Sequence, residues 1–142
     1  MSGATYPTTH ILIVDDNSTT RSKLLSLLSD VQDFRINDSV RNGYEGVAVA
    51  LRMHPDVIVL NNNTPFLDGI DTAQYMHSRL PHTPIIMIAS DDCPEQVEAA
   101  FNAGVMAFFT KPVCEVEEFT ESIRFMAEIH AQMSPRSQHN GY

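Results

Sequence analysis

The sequence predicts an α/β protein: a doubly wound, five-stranded parallel sheet with helices on both faces. Three observations predict it. Short apolar runs alternate five times with segments of helical period. Proline and glycine mark the boundaries between them. The third run is apolar throughout its middle, as a strand covered on both sides should be. At 142 residues the chain fits one domain with a proper core, and 43% hydrophobic with 19% charged residues is a globular composition.

Each element follows in order. "HILIVDD" is a short apolar strand ending in two acids. "NSTTRSKLLSLLSDV" puts Leu24, Leu25, Leu27, Leu28 and Val31 on one helical stripe, with Asn17 or Ser18 able to cap its start. "FRINDSV" alternates weakly, as a second strand. "RNGYEGVAVALRMH" is helical and is stopped by Pro55. "DVIVLN" is the third strand, rich in β-branched residues. "DGIDTAQYMHSRL" is the third helix, and "PHTP" divides it from the fourth strand, "IIMIAS". "CPEQVEAAFNAG" carries Pro94 in its first turn and Gly104 just past its end, the asymmetry of a helix. "VMAFFTKP" is the fifth strand and "EVEEFTESIRFMAEIHAQM" the last amphipathic helix. The polar tail "SPRSQHNGY" has no period and is expected to be loose.

Composition excludes several function classes. Nine basic against eighteen acidic residues give a net charge of −9, which opposes the phosphate neutralisation that nucleic-acid binding begins with. No run is long and apolar enough to cross a bilayer, and "MSGATYPTTH" lacks both regions of a secretory signal, so a cytoplasmic location is expected. Cys93 and Cys114 have no CxxC partner and read as small reduced apolar residues. His77 and His82, five apart across a proline-bounded turn, lack metal-ligand spacing.

In open parallel sheets the ligand site lies beyond the carboxyl ends of the strands, at the switch in strand order. The residues there are Asp15 and Asp16, Asn61, Ala89 and Ser90, and Lys111. Two carboxylates and a further oxygen suit Mg²⁺, and a lysine suits a phosphoryl oxygen or a carboxylate. An acid pair alone is often a solvated helix cap, and a Lys-Pro alone is more often a turn. Their convergence on one sheet edge is what points to a site.

This arrangement resembles the receiver domain of two-component response regulators over about residues 9 to 130, through "ILIVDD", "DVIVL" with the following "TP" and "DG", "PIIMIAS" and "NAGVMAFFTKP". Residues 1–8 and 134–142 then flank the domain as flexible termini. The resemblance implies a CheY-like, flavodoxin-like sheet of strand order 2-1-3-4-5. It implies that Asp15 and Asp16 bind Mg²⁺, and that position 61 receives a phosphoryl group from a histidine kinase. It further implies that Lys111 bonds that group, and that Phe108 is the aromatic residue that changes rotamer. Pro65, Asp68 and Gly69 match the turn after the acceptor, and Pro112 follows the lysine.

The sequence departs from that pattern at its centre. Counting back four residues from Pro65 places Asn61 at the acceptor position, and a neutral amide cannot attack phosphorus as a carboxylate does. The loss of charge also weakens the metal site, to which Asn61 can offer an oxygen and Asn63 its main-chain carbonyl; Mg²⁺ binding is expected to be weak or absent. Ala89 stands where a hydroxyl would follow the phosphoryl group; a one-residue shift would put Ser90 there but would redirect its neighbours. Thr64 replaces a common methionine, and Phe108 lacks the hydroxyl many receivers carry.

The expectation is a degenerate, phosphorylation-independent receiver: no enzyme, but an interaction module whose state is set by a histidine kinase or other signalling protein. By resemblance its docking face, including a possible homodimer contact, is the fourth helix, fifth strand and fifth helix. Phe101, Phe119, Phe125 and Met126 lie there, most of them expected in the core. An ordinary receiver with an engineered Asp-to-Asn change explains Asn61 but not Ala89 or Thr64. Three other functions are weighed. A flavodoxin-like FMN protein suits "DDNSTTRS" poorly, because Asp15 and Asp16 would repel the phosphate. An aspartyl phosphatase typically wants acids two apart. Phosphotransfer through Thr64 is the third.

Overall fold

The computed structural model describes residues 7–62, 68–90, 92–111 and 116–133. Five strands and five helices alternate along the chain: β1 (Thr9–Asp15), α1 (Ser18–Ser29), β2 (Phe34–Val40), α2 (Gly43–Met53), β3 (Val57–Asn62), α3 (Asp68–Arg79), β4 (Ile85–Ala89), α4 (Pro94–Asn102), β5 (Ala107–Thr110) and α5 (Val116–Met133). All strand neighbours are parallel, in the order β2-β1-β3-β4-β5. The order reverses between β1 and β3, as the doubly wound fold requires.

Alternation along the strands divides the core into two layers. On one face, Leu12, Val14, Ile58, Leu60 and Met87 meet Val47 and Ala50 of α2, Ala73 and Met76 of α3, and Ala100 of α4. On the other, Ile11, Ile13, Val59, Ile86 and Ile88 meet Leu24 and Leu28 of α1 with Phe119, Ile123 and Met126 of α5. Burial of each large side chain contributes roughly 1.5–3 kcal/mol relative to exposure.

Local chemistry fixes the helix ends that frame the site. The Asn17 side chain caps α1 by accepting from the N–H groups of Thr19 and Thr20, at 2.9 and 3.0 Å. Asn42 does the same for α2, accepting from the Glu45 N–H at 2.9 Å. Pro94 starts α4, and Gly104 follows its end at φ 108°, a left-handed conformation that favours glycine.

The fifth strand is shorter than its apolar run suggests. It begins at Ala107, because Val105 is buried in the turn after α4 with its N–H on the Ala100 carbonyl, 3.1 Å away. Of the four residues expected on a docking face, Phe119 and Met126 are core, whereas Phe101 and Phe125 stand 47% and 57% exposed. The face therefore divides evenly instead of lying mostly in the core. Among the described residues no helix is long and apolar enough to cross a membrane.

Candidate functional site

The parallel register brings the sequence-predicted residues together. β1 and β3 end side by side, pairing Asp15 with Asn61. β4 then sets Ile88 beside Asn61 and Ala89 beside Asn62. Lys111 follows β5 by one residue, and its backbone N–H donates to the Ala89 carbonyl at 2.8 Å.

Asp15 is the hub of the site and is fully buried. The Asn61 amide donates from Nδ2 to Asp15 Oδ2 at 2.7 Å. An ionised carboxylate only accepts, so the amide must turn its nitrogen, not its oxygen, toward Asp15. The Thr20 hydroxyl lies 2.9 and 2.8 Å from the two Asp15 oxygens, and the Asn17 N–H donates to Oδ1 at 3.0 Å. Arg21 secures the same residue from behind, with Nη1 donating to the Asp15 main-chain carbonyl at 2.8 Å. A buried carboxylate is expensive without such partners, and here they come from α1 and β3 together.

Asp16 is exposed beside this hub, and Lys111 is partly buried. Burial lowers the Lys111 pKa below the usual lysine value, while the charges of Asp15 and Asp16 act to raise it. A cavity of about 130 Å³ opens between the ends of β1 and β3 and the starts of α2 and α3. Asp15, Asp16, Asn61, Asn62, Arg41 and Thr72 line it.

Ala89 is buried and presents no hydroxyl, and Ser90 is exposed past the end of β4. Phe108 is partly buried against the α2, α3 and α4 layer. Asn63, Thr64, Pro65 and Pro112 lie outside the described residues. Gly69, matched by resemblance to the turn after the acceptor, lies in the first turn of α3, inside the helical segment the sequence predicts from Asp68. A Cβ at Gly69 would run into the buried Asn62 side chain, so the glycine is there for the close approach of α3 to β3.

Thr20, Arg21 and Asn62 were not singled out from sequence. The signal for Thr20 was available: three residues past the Asn17 cap, a first-turn side chain can reach back to the strand end. Asn62 could have been placed by strand alternation, which sends it to the opposite face from Asn61.

The response regulator receiver domain family matches residues 11–124. The chain belongs to this family. A protein-glutamate methylesterase/protein-glutamine glutaminase of Methanospirillum hungatei is 34% identical to this receiver over 140 residues, or 91% of this chain and 39% of that protein. One from Caldanaerobacter subterraneus is 34% identical over 104 residues, 72% and 28% of the two chains. The receiver thus spans less than two-fifths of the length of these curated relatives. Among solved structures, the response regulator domain of Thermotoga maritima CheB superposes with a TM-score of 0.74 at 26% identity, covering 85% of this chain and 97% of that one. Vibrio cholerae CheY4 shares the fold, with a TM-score of 0.71 at 23% identity over 84% and 98% of the chains.

Proposed function

We propose that this receiver is a phosphorylation-independent signalling module, its state set by contact with a histidine kinase or another signalling protein. One observation carries the proposal. At the acceptor position stands an amide whose nitrogen is hydrogen-bonded to Asp15, 2.7 Å away. A phosphoryl acceptor needs an anionic oxygen to attack phosphorus; an amide oxygen is neutral and its nitrogen lone pair is held in resonance. The buried methyl group of Ala89 supports the same conclusion, since it offers no hydroxyl to a phosphoryl group. The esterase and glutaminase activities in the relatives' names are not carried over, because this chain matches only a minor part of each.

The test is incubation of the whole chain with Mg²⁺ and a small acyl-phosphate donor, followed by intact mass measurement, beside Asn61→Asp. The chain as written is expected to gain no phosphoryl mass, and the variant is expected to gain one group. Equal labelling of both would overturn the proposal.

A further inference from the structure

We infer that the Thr20 hydroxyl and the Asn61 amide hold the Asp15 carboxylate in place of a divalent cation, so that this receiver takes up neither Mg²⁺ nor Mn²⁺ in its acidic pocket. The inference deepens the reading of Asn61 as a non-acceptor and rests on it.

The residues do not fit the metal that the family resemblance implies. Mg²⁺ needs oxygen ligands at about 2.0–2.1 Å in nearly ideal octahedral geometry, and it gives up its waters reluctantly. Both Asp15 oxygens already accept hydrogen bonds, Oδ1 from the Asn17 N–H and Oδ2 from the Asn61 amide, and the single Thr20 hydroxyl proton is shared between them. An N–H group, with its positive end foremost, stands where Asn61 would have to turn an oxygen. A cation reaching Asp15 would have to rotate that buried amide, displace the hydroxyl and leave both donors in need of new partners.

Charge gives the same answer. With asparagine at position 61, Asp15 and Asp16 are the acids ending β1 beside it. Lys111 lies within electrostatic reach of both, and the Arg21 guanidinium sits on the Asp15 carbonyl. Positive charge is therefore supplied by the chain itself. Asp16 is exposed, and a single solvated carboxylate is a weak magnesium ligand set. Among the described residues, no three His, Cys, Asp or Glu side chains are grouped so as to hold a metal ion.

The test needs no phosphoryl donor. The whole chain is titrated with Mn²⁺ alone, following free Mn²⁺ by its paramagnetic resonance and site occupancy by broadening of the backbone amide signals of residues 15, 16 and 61. Asn61→Asp, Asn61→Asp with Thr20→Val, and Asn61→Asp with Thr20→Ser are compared, each shown by circular dichroism to be folded. Asn61→Asp is expected to show saturable broadening at residues 15, 16 and 61, and the original chain none centred on Asp15 at Mn²⁺ concentrations about tenfold above the variant's dissociation constant. Adding Thr20→Val should tighten binding further, whereas Thr20→Ser, which keeps the hydroxyl, should not. Saturable broadening centred on Asp15 in the original chain would overturn the inference. Identical affinities for the valine and serine variants would overturn the part assigned to Thr20. Mn²⁺ uptake without phosphoryl uptake would sink this inference and leave the proposed function standing; phosphoryl uptake without pocket Mn²⁺ would do the reverse.

Discussion

Two residues show how much of the site rests on single positions. Thr20 is one of the donors that make a buried Asp15 carboxylate tolerable. Thr20→Val keeps the shape and removes the hydroxyl, so it should cost about 1–2 kcal/mol, seen as a lower urea midpoint with an unchanged slope. An unaltered midpoint would mean that Asp15 does not depend on that hydroxyl. Gly69 is the other. Because the Asn62 side chain is buried against it, Gly69→Ala should cost about 1–3 kcal/mol, and combining it with Asn62→Ala should recover part of that loss. Strictly additive losses would refute the contact. That Asn61 ends up beside Asp15 was legible, since the apolar run of β3 delivers it to the same sheet edge as the end of β1. The donors were not. Hydrophobic period says where a helix buries its apolar stripe, but not where its first-turn hydroxyl aims.

Among the elements, α5 carries the most instructive polar contacts. Arg124 makes a bidentate pair with Asp33 from the middle of the helix, both hydrogen bonds at 2.9 Å, and His130 near its C-terminal end lies 3.5 Å from Asp56. The Arg124 guanidinium holds the Asp33 carboxyl below its ordinary value. Burial acts to raise Asp56, but the His130 imidazole and the His10 N–H outweigh it and leave that carboxyl lowered as well. A carboxyl whose pKa is depressed by folding contributes stability above its unfolded value, 3.8 for both acids, and that contribution is lost as pH falls through the folded value. Stability should therefore fall as pH drops below about 4. Arg124→Ala should lower the neutral-pH stability by about 1 kcal/mol and make that acid decline shallower. Urea midpoints measured across the acid range test it; a variant whose decline matches the original would rule the pair out as its cause. The amphipathic helix itself could be read from its period, whereas a pair 91 residues apart could not, because no local pattern ties Asp33 to Arg124.

Across the whole molecule, the order of elements and the edge that gathers the site were legible because both follow from one repeated pattern. Parallel strands must be connected by crossovers, and the crossovers must cover both faces. The length of β5 was not legible, since an apolar run does not distinguish a strand from a buried turn, and Val105 is in the latter. The same two-sided logic yields a test of the fold as a unit. α5 supplies Phe119, Ile123 and Met126 to the layer over Ile11, Ile13, Val59, Ile86 and Ile88. At roughly 1.5–3 kcal/mol each, those three side chains contribute about 5–9 kcal/mol. That is comparable with the whole net stability of a domain, typically about 5–15 kcal/mol. A chain ending at Lys111 should therefore lose the folded state instead of merely weakening it, with site and distant layers failing together. The urea transition followed by circular dichroism should be broad or absent, and the backbone amide signals of β1 and β3 should collapse to unfolded positions. A sharp cooperative transition in that shortened chain would mean that α1 alone can shelter this face of the sheet.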